Sequence, residues 1–234
     1  GVPFERHETV RLAVVGTGLR GRTLGVWGYG SIGRVVAGYG RAFGVVEGGP
    51  EAVPRDRLST VVGELRLDPE RAVEHGLALV EDGADIIDVG GESSRPGSDP
   101  VPPSEETRRI VPVISGIRAR TDCLISADTS KAEVAEAALD AGADIINDIS
   151  SFRLDPRVLV RIARRGAGLI LMHMQGVPKT MQVRPRYGDV VAEVKAFLSG
   201  RMDVAEAYGL PRESIVVDPG IGFGKTIDHN LTLQ

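Results

Sequence analysis

One unit recurs from Leu67 onward and constrains the fold more than any other feature: a helix, a glycine, then a short apolar strand ending in polar residues. It opens at Asp68-Pro69-Glu70, where aspartate can cap a helix, proline suits its first position, and glutamate complements the positive end of its dipole. Ala72, Val73, Leu77 and Val80 follow at helical spacing. Gly83 then stands where helices end, and ADIIDVG (84–90) reads as a buried strand. The phrase returns as AEVAEAALDAG before ADIINDIS (143–150), around Gly166 before LILMHM (169–174), and around Gly209 before SIVVD (214–218). Ser104-Glu105-Glu106 starts a further helix that leads to LISAD (124–128).

Five β/α units follow from this, with strands predicted near 85–90, 124–128, 144–149, 169–173 and 215–218. The strands are continuous apolar runs, as expected of a parallel sheet covered by helices. A doubly wound open sheet and a (β/α)8 barrel both satisfy that pattern, and both put ligands at the C-terminal strand ends. Those ends carry Asp88 with Glu92, Ser93, Ser94 and Arg95, then Asp128, then Asn147 and Asp148, then His173 and Gln175, then Asp218. Polar groups from five strands converge more easily from a closed barrel, so the expected fold is an incomplete (β/α)8 barrel.

Composition divides the chain in two. Residues 1–66 hold 14 of the 30 glycines and carry more basic than acidic residues, whereas the remainder is net acidic within an overall charge of −4. A Gly-rich segment at 1–66 is therefore expected to precede the 67–234 barrel. Neither part clusters basic residues as nucleic-acid binding requires. No apolar run approaches a membrane span, and GVPFERHETVR is too charged for a signal sequence. A single cysteine, Cys123, fits a reducing compartment, so a soluble cytoplasmic protein is expected.

Asp128, Asn147 and Asp218 suit a ligand rich in N–H donors, such as a fused nitrogen heterocycle, because a carboxylate can accept two adjacent N–H groups. Each could instead cap the following helix. In SSRPGS (93–98) an arginine between turn formers suits a phosphate or diphosphate. DPGIGFGK (218–225) follows a strand but lacks P-loop spacing, since Pro219 stands where glycine is required. Its glycines let backbone approach a ligand, with Phe223 offering either an aromatic face or ordinary packing. His173 reads as a satisfied polar residue, no metal site is built by the protein's own residues, and Cys123 reads as buried and inert.

Taken in order, DIIDVGGESSRPGS, ISADTSKAEVAEAAL, ADIINDIS, LMHMQGVPKTMQ and VVDPGIGFGKTIDHN resemble dihydropteroate synthase over about 67–234. The resemblance implies a barrel that joins 6-hydroxymethyl-7,8-dihydropterin pyrophosphate to p-aminobenzoate, giving 7,8-dihydropteroate and pyrophosphate with Mg2+ as cofactor. It implies that Asp128, Asn147 and Asp218 hold the pterin, with Met172 against it. It further implies that Ser94 and Arg95 meet pyrophosphate and p-aminobenzoate, that Gly222 and Phe223 border the aminobenzoate pocket, and that Arg95 and Asp128 serve the chemistry. Position 94 is serine where the family usually has threonine. A homodimer is compatible with the resemblance; nucleic-acid and membrane partners are not expected.

Three family features are missing from the sequence. No Asn-x-Thr-Pro-Asp motif, which helps hold Mg2+, precedes Leu67, and neither the Ser-Arg-Lys nor the Arg-x-His loop follows Asp218. Little or no turnover is expected of the chain as written, which leaves a non-catalytic pterin-binding remnant as the alternative. Separately, LRGRTLGVWGYGSIGRVVAGYGRAFG (19–44) resembles the NAD-binding turn of D-2-hydroxyacid dehydrogenases through Gly28, Gly30 and Gly33. The ribose-binding acid expected about 20 residues on is missing, so the turn reads as vestigial, and an NAD-dependent 2-hydroxyacid dehydrogenase fragment stands as the third reading, behind the two above.

Overall fold

The structure, a computed structural model, describes residues 68–94 and 99–233 in full and the backbone of 11–15, 23–25 and 46–48. A six-stranded sheet forms its centre, in the order β1 (Arg11–Val15), β4 (Ile86–Gly90), β5 (Leu124–Asp128), β6 (Ile145–Asp148), β7 (Gly168–Met172) and β8 (Ile215–Asp218). From β4 to β8 every neighbouring pair is parallel. Helices α1 (Pro69–Glu81), α2 (Pro103–Arg118), α3 (Ala132–Ala141), α4 (Arg157–Arg165) and α5 (Val190–Ala207) alternate with these strands, and α6 (Ile227–Thr232) follows β8. All five predicted strands are present, displaced by at most a residue at either end.

One neighbour in the sheet departs from the barrel pattern. β1 occupies the place beside β4 but runs antiparallel to it, Arg11 opposite Gly90 and Val15 opposite Ile86. A (β/α)8 barrel needs parallel neighbours joined by helical crossovers, and an antiparallel pair needs no crossover. Among the described strands β1 and β8 do not pair, so the sheet is open there. A second sheet pairs β2 (Thr23–Gly25) with β3 (Val46–Gly48) in parallel. Gly28, Gly30 and Gly33, and the helix expected after them, lie outside the described residues, as does Arg95.

The helices form where the sequence signals them. Asp68 caps α1 by accepting from the Arg71 N–H at 2.9 Å, and Pro69 follows at the first helical position. The buried face of α1 is Ala72, Gly76 and Leu79, with Val73 and Val80 alongside, so the apolar stripe is rotated from the one expected. Helix α2 begins at Pro103 after Pro102 and has no side-chain cap, so Ser104 lies inside it instead of starting it. Its Ile110, Val113, Ile114 and Ile117 are fully buried.

Side chains alternate across a strand, and the register between strands sorts them into two faces. Ile87, Val89, Ile125, Ala127, Ile146, Leu169 and Leu171 face the helices and are all 0% exposed. The opposite, inner face carries Asp88, Ser126, Asp128, Asn147, Met172 and Asp218. The core thus sits between sheet and helices, while the polar groups collect on the other side.

Candidate functional site

Asp128 and Asn147 stand directly side by side on β5 and β6, and Met172 stands beside Asp218 on β7 and β8, one inward-facing step further along. One step nearer the strand starts is Asp88, whose two carboxylate oxygens each lie 3.4 Å from the Asn147 amide nitrogen. That contact spans β5 and confirms that both side chains point inward. Three carboxylates and an amide therefore share one face at the strand ends.

Asp218 is half-buried. Desolvation pushes its carboxyl upward, against the Gly220 N–H donated to Oδ1 at 2.7 Å and the charge of Lys225, which pull it down. The following turn is tight: Gly220 has φ +67°, and a Cβ there would fall 2.0 Å from the His173 carbonyl oxygen. Only glycine allows this approach. Phe223 packs with Met172, Met174, Met181 and Ile149 in a small apolar cluster. Gly222 donates its N–H to Asn230 at 2.9 Å, and its carbonyl accepts from Gln182.

Other strand-end residues prove structural. Asp148 faces the helices, not the site. It is 0% exposed and accepts the Ser150 and Phe152 N–H groups at 2.8 and 2.6 Å, closing the turn after β6. Gln175 pairs with the Arg186 backbone at 2.9 and 3.1 Å. His173 is buried against Phe197 and Tyr187 and contacts Lys225, as a satisfied polar residue should. Cys123 is half-buried, contacts the Ala84 and Asp85 carbonyls, and has its thiol pushed up mainly by desolvation, so it is a poor nucleophile.

His173 titrates near 4, lowered first by burial and then by Lys225. The unfolded chain takes up this proton near 6.5, so stability present above that pH is lost as pH falls toward 4. The loss is on the order of 2 kcal/mol once partial solvent contact is allowed for. Urea denaturation at pH 7 and pH 4.5 is expected to show that drop in the wild type and a smaller one in His173→Asn; equal drops would contradict it.

A water-sized cavity of about 20 Å³ lies between Ser94, Asp128 and Lys131. Lys131 binds Glu92 at 2.6 Å and also Glu106, which is 1% exposed. Glu92 in turn accepts the Val101 N–H at 2.6 Å, so both ends of the 93–100 loop are tied to one carboxylate. Sequence reasoning passed over this group, because its partners are 25 and 39 residues apart. Lys131→Met leaves Glu106 buried without its cation and is expected to cost about 3 kcal/mol in urea denaturation. Adding Glu106→Leu should recover at least part of that; no recovery would show that the pair is not what Lys131 stabilises.

Among the described residues no three His, Cys, Asp or Glu side chains cluster to hold a metal ion. None of the described helices is long and apolar enough to cross a membrane.

Comparison with known proteins covers the region that carries the inner face. Residues 59–234 match the model of the pterin binding enzyme family. The chain is 46% identical to the dihydropteroate synthase of Synechocystis over 162 residues, 69% of this chain and 56% of that protein. It is 47% identical to that of Mycobacterium leprae over 168 residues, 71% of this chain and 59% of that protein. A Yersinia pestis dihydropteroate synthase solved with a sulfonamide drug superposes with a TM-score of 0.69 at 40% identity, covering 71% of this chain and 60% of that one. A Xanthomonas albilineans dihydropteroate synthase solved with 4-aminobenzoic acid gives 0.66 at 42%, covering 79% and 62%. This chain therefore spans less than two thirds of each relative. Asp88, Asp128, Asn147 and Asp218 all lie inside the matched region, on strands whose order and direction the solved relatives share closely enough to superpose, and the chain belongs to the pterin-binding enzymes.

Proposed function

We propose that the inner face binds a dihydropterin and that the chain carries the pterin-binding side of a dihydropteroate synthase, the activity that condenses 6-hydroxymethyl-7,8-dihydropterin pyrophosphate with p-aminobenzoate. The observation that carries this reading is the single face shared by Asp128, Asn147 and Asp218. The Asn147 amide nitrogen is directed at Asp88, and its carbonyl oxygen has no partner among the described residues, so it is available as an acceptor. With the two carboxylates it offers acceptors to the N–H groups of a pterin, while Met172 supplies an apolar wall beside Asp218. Relatives solved with 4-aminobenzoic acid and with 7,8-dihydropteroate support the same choice of substrates.

In this reading the C–O bond to the diphosphate breaks with its electron pair leaving on the diphosphate. Positive charge then develops on the pterin methylene, and the fixed carboxylates Asp128 and Asp218 stabilise it. The arylamine nitrogen donates its lone pair to form the C–N bond and releases a proton to solvent. Ser94 lines the same small cavity as Asp128 and would meet the departing diphosphate, and Arg95, next in sequence, would meet its charge. Gly222 and Phe223 would border the arylamine. The described residues do not cluster to build a cation site, and no step is assigned to Mg2+.

Calorimetric titration with 6-hydroxymethyl-7,8-dihydropterin tests the proposal. One saturable site is expected; absence of binding would remove the pterin reading.

A further inference from the structure

Lys225 is a buried cation that the catalytic reading does not use. It is 3% exposed, and its Nζ lies 3.2 Å from the His173 carbonyl, 2.9 Å from that of Gly220, 3.0 Å from that of Phe223, and 3.0 Å from His173 Nδ1. An ammonium has three N–H donors and no acceptor. Four acceptors share these three N–H groups, and the contact with His173 Nδ1 fits an imidazole whose Nδ1 is unprotonated. One side chain thus ties the end of β7 to two points of the 218–225 turn.

No carboxylate pairs with Lys225 at contact distance among the described residues, yet the charges of Lys225 and Asp218 act on each other. Gly220 connects them: its carbonyl accepts from Lys225, and its N–H donates to Asp218 Oδ1. A buried ammonium is costly, and an apolar side chain of the same length could fill the space. Burial lowers Lys225 to about 8, which leaves it mostly charged at neutral pH. We infer that Lys225 is the positioning residue of Asp218, fixing through Gly220 the turn that aims the carboxylate.

Other titratable groups around the lysine do not replace it. His173 is neutral, and Tyr187 donates its hydroxyl to Gly224 at 2.7 Å while being pushed up to about 12, chiefly by burial. His229 of α6 stacks edge-on against Tyr187. Arg153, after β6, and Glu193 of α5 act on His173 with opposite signs.

The inference rests on the pterin reading only for what Asp218 receives, so its first readout needs no ligand. The chain has four lysines, Lys131, Lys179, Lys195 and Lys225, which makes 13Cε-lysine NMR tractable. In the wild type the Lys225 resonance should titrate near pH 8 and show a second, acid inflection that Asp218→Asn abolishes. In Lys225→Met the Asp218 carboxyl midpoint, followed by 13C NMR, should move to higher pH, and Lys225→Arg should return it toward the wild type. Dihydropterin affinity in Lys225→Met should fall about tenfold at neutral pH, with its acid limb moved the same way. A wild-type Lys225 resonance without the acid inflection would overturn the inference even if the variants fail to fold, as would an unmoved Asp218 midpoint in folded Lys225→Met. Failure of the wild type to bind dihydropterin would overturn the pterin reading and leave the lysine–aspartate coupling to stand or fall on the titrations.

Discussion

Asp218→Ala is expected to abolish dihydropterin binding, lowering affinity by at least about a hundredfold, the scale of losing two charge-assisted hydrogen bonds in a half-buried site. Asp218 is the carboxylate on which most of the local structure converges. The Gly220 N–H, the Lys225 ammonium and the β7 strand end all hold it or its strand, the last through the His173 N–H to the Asp218 carbonyl at 2.9 Å. Its main-chain hydrogen bonds survive the substitution, so folding should be little changed. Calorimetry on a variant with wild-type urea stability separates the two effects. Retained affinity would remove Asp218 from the site.

Gly220→Ala is expected to have the largest effect on stability, about 3 kcal/mol or more. Two costs combine: a left-handed backbone at φ +67°, and a methyl carbon placed 2.0 Å from the His173 carbonyl oxygen. Relief requires the turn to move away from β7, which breaks the Lys225 and Asp218 contacts together. A large fall in the urea midpoint should therefore come with loss of dihydropterin binding. A fall below about 1 kcal/mol would mean that the close approach is not a property of the folded chain. By contrast, Gly222 also has a positive φ, but a Cβ there would meet nothing within 4 Å, so backbone strain alone would act at that position.

Most of the strands were legible because four of the five predicted ones are short apolar runs between a helix-ending glycine and a polar cluster. Gly83, Gly142, Gly166 and Gly209 all adopt positive φ, as residues that stop helices should. The site was legible as a set of strand ends but not in detail. Asn147 and Asp148 are adjacent, and both read as candidate ligands. Alternation sends one to the inner face and the other beneath a helix turn, and only the register with β5 and β7 says which. The same ambiguity hid the unpartnered buried hydroxyl of Ser126, which stands on the inner face beside Asp88. Lys225 gave no signal because its partners are mostly backbone carbonyls, which no residue pattern encodes. The direction of β1 was not legible for a related reason: helical crossovers specify parallel neighbours from β4 onward, but nothing in residues 11–15 specifies that β1 pairs antiparallel.

The proposed pterin site lies on the inner face, at the strand ends. Amide chemical-shift mapping by NMR during titration with 6-hydroxymethyl-7,8-dihydropterin tests it most directly. Saturable shifts are expected at Thr129, Asp148, His173 and Gly220, whose backbone amides lie at or just beyond the ends of β5 to β8. Shifts confined to the helical side, around α1 and α2, or no shifts at all, would contradict it.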